Sequence, residues 1–358
     1  METFWLTDGK LVTPRGVVEG AVHIVGGNIA SIRGRAPRGA CRRGLRGAYL
    51  APGFIDLHVW GEPSTVAREF AKDGTTAFLT TLGPESRERL AQRVAARARA
   101  AEALGTRCLG LHLEGPFLSP ERSGALPRRW MRSPALQELE QLARIAGGHL
   151  RLITLAPELP GALEAIRWCR QHRIVASLGH SEAGAPRALQ AVDAGATAVT
   201  HAFNGMRPFH HRQPMLLDIA LTDPRLSAMV ILDGTHVSPH AFRLLVRAKG
   251  AGRVALVTDS IRHQGWDVVK RRGAYYTRRG VLAGSSLTMM EAVRNAVMVG
   301  GASLTDAVGM ATAVPARLIG ASARGRLAVG GRADLVAFDR TFQVLLTLIG
   351  GRVAYQRG

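Results

Sequence analysis

The feature that most constrains this chain is a repeated alternation of short apolar runs, each closing on a polar residue, with stretches of helical length. Strand candidates fall at 53–58, 76–81, 108–114, 150–155, 174–179, 197–201, 228–232 and 254–258. Helical patterns lie between them at 85–104, 134–145, 161–172, 185–194 and 239–249, and two more, 287–299 and 304–319, follow the last strand. Runs without an exposed polar face, joined by helices, read as parallel strands, because a parallel pair needs a crossover and its helices cover both sheet faces. Eight such units predict an α/β fold, a (β/α)8 TIM-like barrel, with the active site at the C-terminal ends of the strands. Those ends carry His58, Glu114, His180, His201, Asp233 and Asp259.

In Leu111-His112-Leu113-Glu114 the period-two alternation places His112 and Glu114 on one face and the leucines on the other, and Gly115-Pro116 stops the strand. Val175-Ala176-Ser177-Leu178-Gly179-His180 and Ala198-Val199-Thr200-His201 each close an apolar strand on a histidine. Alone, each polar residue would read as a cap or a surface group. At equivalent ends of neighbouring strands, a carboxylate and two imidazoles match the ligand set of a divalent cation such as zinc. Asp259 closes Val254-Ala255-Leu256-Val257-Thr258. A helix N-cap is the plain reading of such an Asp. Beside a metal it becomes a general base: the ion lowers the pKa of its water toward about 7, and a carboxylate must still take the proton and pass it to a leaving amine. Hydrolysis of an amide follows from those parts. In Phe209-His210-His211-Arg212-Gln213, Arg212 is either a surface residue or a bidentate phosphate ligand on the loop side of the barrel; His210 and His211 read as surface residues or neighbours of the site.

The two ends of the chain differ from its middle. Ala21-Val22-His23-Ile24-Val25 and Ile29-Ala30-Ser31-Ile32 flank Gly26-Gly27-Asn28 as in a hairpin, and β-rich runs recur from 333 to 355. Residues 1–50 and 326–358 are therefore expected to form one small β-sandwich domain around a barrel spanning 51–325. The net charge of +20 invites a nucleic-acid role, but the basic residues are scattered and aromatics make up only 5%, too few for stacking platforms. The charge reads as a solvated surface that favours anionic substrates. Three cysteines without metal spacing, no secretory leader and no apolar run of roughly 18 residues predict a soluble cytoplasmic protein without membrane contact.

Several stretches together resemble the N-acetylglucosamine-6-phosphate deacetylases of the amidohydrolase superfamily. They are Pro52-Gly53-Phe54-Ile55-Asp56-Leu57-His58, His112-Leu113-Glu114-Gly115-Pro116-Phe117, Thr154-Leu155-Ala156-Pro157-Glu158, Leu178-Gly179-His180-Ser181 and Thr200-His201-Ala202-Phe203-Asn204-Gly205-Met206. Asp233-Gly234-Thr235-His236, Leu256-Val257-Thr258-Asp259 and Leu282-Ala283-Gly284-Ser285-Ser286-Leu287-Thr288-Met289 continue them in order. The resemblance implies one divalent ion per chain on Glu114, His180 and His201, zinc first, with iron, manganese, cobalt or nickel as alternatives. It makes Asp259 catalytic and leaves His58 beside the ligands. It places sugar contacts on Ala125, Asn204, Gly205, Leu282, Ala283 and Gly284, and phosphate contacts on Arg212 and on His236, the latter across a homodimer interface. It implies removal of acetyl from N-acetylglucosamine 6-phosphate; the rivals are a related hydrolase of another N-acyl or cyclic amide, and a barrel that only binds.

The chain departs from that pattern at two histidine positions. Two-metal members carry His-x-His after the first strand, where this chain has His58-Val59-Trp60, and Leu126 stands where a carbonyl-polarising histidine is expected. The segments after Trp60 and Asp259 are short, and the basic run 270–279 reads as a solvated β-ribbon, with an anion-binding lid or a nucleic-acid contact as its alternatives.

Overall fold

The computed structural model describes residues 3–263 and 266–358. At its centre eight parallel strands pair in chain order: β1 (Phe54–Val59), β2 (Thr75–Leu82), β3 (Cys108–Glu114), β4 (Leu150–Leu155), β5 (Val175–Leu178), β6 (Ala198–Val199), β7 (Ser227–Val230) and β8 (Val254–Leu256). Every boundary lies within two residues of the sequence expectation. The strands are buried along almost their whole length, since one face fills the barrel and the other meets helices. The ring closes where the backbone N–H of Asp259 donates to the carbonyl of His58 (2.9 Å) and that of Trp60 to Ser260 (3.0 Å). Asp56 fastens the same seam from inside. Its Oδ2 accepts from Thr258 Oγ1 at 2.5 Å and its Oδ1 from the His58 backbone N–H at 3.1 Å. Burial raises the Asp56 pKa to about 6 against the pull of those hydrogen bonds.

Helices Arg87–Leu104, Leu136–Ile145, Ala162–Gln171, Ala185–Ala194, Pro239–Lys249 and Met289–Met298 occupy the expected connections. Two short ones, Pro63–Phe70 and Leu216–Thr222, complete the crossovers after β1 and β6. The helix expected over 304–319 is instead two, Leu304–Ala311 and Ala313–Leu318, broken at Thr312 (φ −135°, ψ −76°). Pro315 has no N–H for the carbonyl four residues back and its ring crowds that carbonyl, which explains the break.

Strands from both ends of the chain form one ladder, in the order Arg352–Gln356, Val344–Ile349, Leu335–Phe338, Tyr49–Pro52, Thr3–Thr13, Gly16–Val25, Asn28–Arg33, with Arg42–Gly44 beside Thr3–Thr13. The hairpin turns on Gly26 and Gly27, both at positive φ (55° and 85°), and Asn28 already belongs to the strand. A single apolar cluster joins Ile29 of one edge strand to Leu348 beside the other edge, so the ladder curls over its own core. A three-stranded antiparallel ribbon, Val268–Arg271, Ala274–Thr277 and Leu282–Ser285, carries the basic run and attaches after β8, where Ser285 N–H donates to the Asp259 carbonyl at 2.9 Å. All three cysteines are free, and among the described residues no helix is long and apolar enough to cross a membrane.

Gly110 lets β3 approach its neighbour: it has φ 134°, and a Cβ there would lie 2.2 Å from the His149 carbonyl oxygen, which accepts the Leu111 N–H at 2.7 Å. Gly110→Ala is expected to destabilise the fold by about 3 kcal/mol through clash and backbone strain. Gly309→Ala, inside Leu304–Ala311 with nothing within 4 Å of its Cβ, should instead stabilise by about 0.5–1 kcal/mol. Urea unfolding of both variants checks the two opposite signs.

Candidate active site

Side chains from the ends of β3, β5 and β6 meet at one oxygen. Glu114 Oε1 lies 3.0 Å from His180 Nε2 and 2.8 Å from His201 Nε2, and all three residues are buried. Nδ1 of His180 is 2.6 Å from the Arg122 carbonyl. A carbonyl only accepts, so Nδ1 carries the proton and Nε2 is left for a cation. β5, β6 and β8 end short of the sequence expectation for a shared reason. His180 (φ 48°), His201 (φ 29°) and Asp259 (φ 48°) all leave the extended region for left-handed backbone. Such conformations cost about 1–3 kcal/mol each and persist at sites where the surrounding structure enforces them. Gly205 (φ 63°) allows the close approach beneath: a Cβ there would stand 3.0 Å from His180 Nδ1.

Asp259 comes to the same cavity from the end of β8. Its Oδ1 accepts the indole N–H of Trp60 at 2.9 Å, and His58 Nε2 stands 2.9 Å from the same oxygen without the alignment of a hydrogen bond. Its Oδ2 makes no hydrogen bond among the described residues. Trp60, which in sequence reads only as a missing ligand, thus holds the Asp259 carboxylate.

His58 is fully buried and sits closer to the ligands than its sequence reading suggests. Its Nε2 is 3.5 Å from Glu114 Oε2, and ligand atoms of His58, Glu114 and His201 lie within 4.8 Å of one another. Two candidate ligand triples therefore share Glu114 and His201. Nδ1 of His58 contacts His112 Nδ1 at 2.9 Å, and His112 Nε2 contacts Thr154 Oγ1 at 2.7 Å. Hydroxyl contacts run on to Thr200 (2.7 Å) and Ser177 (2.6 Å) inside the barrel. Sequence alternation placed His112 on the face of Glu114 but assigned it no role; in the fold it orients His58.

Burial alone would push the Glu114 carboxyl up, yet the His58 charge and the His180 and His201 hydrogen bonds outweigh it and hold Glu114 well below the carboxylate range. Burial pushes His58 down, and the charges of Glu114 and Asp259 overcome that, raising it to about 9. At His180 burial also pushes down, but the bond to Glu114, that carboxylate's charge, the Arg122 carbonyl and the Asp259 charge together raise it, whereas burial prevails at His201 and holds it low. His112 lies well below the usual histidine range through burial and the neighbouring His58 charge. Two carboxylates thus draw positive charge into a water-poor pocket lined by imidazole nitrogens. A divalent cation fits that donor set and that charge.

The cavity measures about 230 Å³, and Glu114, His180, His201 and Asp259 share its lining with Ala125, Leu126, Asn204, Gly205, His236 and the Leu282-Ala283-Gly284 turn. His236 is held from behind: its Nδ1 donates to Asp233 Oδ2 at 2.6 Å and its backbone N–H to Oδ1 at 2.7 Å. Gly284 (φ 137°) runs against the Asp259 backbone, where a Cβ would meet the carbonyl at 3.0 Å. Arg212 is not part of this lining. It stands on the exposed loop 207–213, and its guanidinium makes no ion pair among the described residues.

The amidohydrolase family model matches residues 49–354, and that of the allantoinase composite domain matches 1–39. The N-acetylglucosamine-6-phosphate deacetylase of Bacillus subtilis (strain 168) is 33% identical over 99% of this chain and 98% of its own length. The N-acetylgalactosamine-6-phosphate deacetylase of Escherichia coli O157:H7 is 35% identical over 85% of this chain and 87% of its own. A mutant N-acetyl-D-glucosamine-6-phosphate deacetylase from Mycobacterium smegmatis, solved in complex with N-acetyl-D-glucosamine-6-phosphate, superposes with a TM-score of 0.93 at 31% identity, covering 99% of this chain and 100% of that one. The chain belongs to the amidohydrolase family, alongside the N-acetylglucosamine-6-phosphate deacetylases.

Proposed function

We propose that this protein hydrolyses the acetamide of N-acetylglucosamine 6-phosphate, giving glucosamine 6-phosphate and acetate. The observation that carries this reading is the convergence of Glu114, His180, His201 and Asp259 on one cavity, in a chain whose relatives over nearly its full length bear that activity in their names.

Glu114, His180 and His201 would hold a single divalent ion, zinc first, with iron, manganese, cobalt or nickel as alternatives. When bound, such an ion supplies an acidified water and polarises the amide carbonyl. Oδ2 of Asp259 takes the water's proton as the hydroxyl adds to the carbonyl carbon, then delivers it to the sugar nitrogen as the C–N bond breaks. Trp60 fixes the plane of that carboxylate through Oδ1, which leaves Oδ2 toward the cavity. Leu126 offers no polar atom to the carbonyl oxygen. Ala125, Asn204, Gly205, Leu282, Ala283 and Gly284 would surround the sugar. His236 and the unpaired guanidinium of Arg212 would hold the phosphate, with His236 shared across a homodimer. The setting is the cytoplasm, where the substrate is a soluble anion.

Asp259→Asn should lower acetate release by roughly two to four orders of magnitude with the metal retained; turnover within a few-fold of wild type would take Asp259 out of the mechanism. Elemental analysis after dialysis should find one equivalent of metal, lost in Glu114→Gln and His180→Ala and kept in His58→Ala. Two equivalents, or loss in His58→Ala alone, would mean that His58 is a ligand. For Arg212→Ala, efficiency on N-acetylglucosamine 6-phosphate should fall about 10- to 100-fold, matching the roughly 1.5–3 kcal/mol of a charge-assisted contact, while the unphosphorylated sugar is unaffected. Equal losses on both would make the arginine architectural. Running the acetate assay with N-acetylgalactosamine 6-phosphate alongside identifies the preferred sugar, and release of acetate from neither would sink the reading.

A further inference from the structure

The lining of the catalytic cavity is of two unlike kinds. Asn204, Gly205 and His236 supply amide, backbone and imidazole groups, while Trp60, Leu126 and Trp266 supply apolar surface. The indole N–H of Trp60 is already engaged by Asp259. The bond to be cleaved carries a polyhydroxylated, phosphorylated sugar on its nitrogen side and an acyl carbon on its carbonyl side. Hydroxyls and phosphate need the polar groups, because buried polar groups must find partners. The acyl group then faces Trp60, Leu126 and Trp266.

Two cavities adjoin along that apolar surface. Trp60, Ala125, Leu126 and Trp266 also line a second cavity of about 310 Å³, bounded by the segment that follows β2 and by residues 125–130. Far more room lies there than the methyl of an acetyl group can use. The Trp60 and Trp266 rings meet edge to face at 4.9 Å, and Gly83 makes way for the Trp60 ring, since a Cβ there would come within 2.8 Å of it. The rim is cationic. Arg89, Arg93 and Arg129 stand there against one carboxylate, Glu85. Glu85 is shared between Arg93 and Arg89, the latter at 3.2 Å. Arg129 lies over the Trp130 ring at 5.4 Å and has no carboxylate partner among the described residues.

Building on the deacylase reading, we propose that this annex is an acyl subsite, and that the enzyme also hydrolyses N-acyl amino-sugar phosphates whose acyl chain extends past acetyl and ends in a carboxylate. N-succinylglucosamine 6-phosphate is the simplest such substrate. Its methylenes pass along Trp60 and Leu126, and its terminal carboxylate reaches the arginine rim, where a guanidinium pairs with it in fork geometry. The chemistry is unchanged. Water adds to the amide carbonyl, the C–N bond breaks, the amine takes the proton, and succinate leaves in place of acetate.

The test compares kcat/KM for the N-acetyl, N-butanoyl and N-succinyl derivatives of glucosamine 6-phosphate, the last two being chains of equal carbon number that differ in charge. N-succinyl should exceed N-butanoyl at least tenfold. Arg129→Ala, an exposed position outside the catalytic machinery, should bring N-succinyl down to the N-butanoyl value and leave N-acetyl within twofold. If N-acetyl is hydrolysed and both longer chains fall below a hundredth of it, the annex is no acyl subsite and the deacetylase reading stands. Hydrolysis of N-succinyl without N-acetyl would keep the annex and overturn the acetyl assignment. No release from any of the three overturns both. An equal fall on all three in Arg129→Ala would assign the arginine to the fold and overturn its role in recognition.

Discussion

One buried carboxylate oxygen organises this protein. Taking a charged carboxylate out of water is costly unless each of its lone pairs finds a partner, and Glu114 is almost fully enclosed at the end of β3. Its Oε1 meets imidazoles from β5 and β6, and its Oε2 faces His58 of β1. Groups from four strands can reach one carboxylate only if the barrel closes, and closure depends on the seam where Asp56 ties β1 to Thr258. Fold and site are therefore one problem: what shuts the ring also brings His58 and Asp259 to within 2.9 Å of each other.

Three site residues hold left-handed backbone conformations, and a further chain of polar groups fills the barrel where apolar side chains would pack without cost. Thr154, Thr200 and Ser177 bond to one another and to His112, so each hydroxyl is satisfied. Such a network is favourable only when complete. The three hydroxyls meet that condition, and the chain ends on the His58 ring that faces Asp259. The backbone strain at His180, His201 and Asp259 falls at the C-terminal ends of the strands, beside the candidate site.

Much of this was legible in the sequence, for identifiable reasons. Strands buried on both faces print as uninterrupted apolar runs, so the eight barrel strands were placed to within two residues. Glu114, His180, His201 and Asp259 stood out because each breaks such a run at its end. What could not be read depends on distance in the fold. Thr154, Thr200 and Ser177 look like ordinary β-strand residues until three strands bring them together. Trp60 could be read only for the ligand it lacks; its bond to Asp259 spans 199 positions. The break at Thr312 lay within reach, since Pro315 forbids a continuous helix there. Arg212 stands on an exposed loop outside the cavity lining, so the phosphate role proposed for it rests on its chemistry alone.

The two departures from the superfamily pattern make physical sense together. With an indole at position 60 in place of a second imidazole, one donor nitrogen is lost, and the Asp259 oxygen that a second cation would neutralise receives a hydrogen bond instead. Leucine at 126 removes a polar partner from the carbonyl and leaves an apolar surface continuous with Trp60 and Trp266. The same pair of positions leaves Glu114, His180, His201 and Asp259 as polar groups at the strand ends and places an apolar surface beside them. On the proposed reading, a longer acyl group would meet, past the tryptophans, the rim formed by Arg89, Arg93 and Arg129.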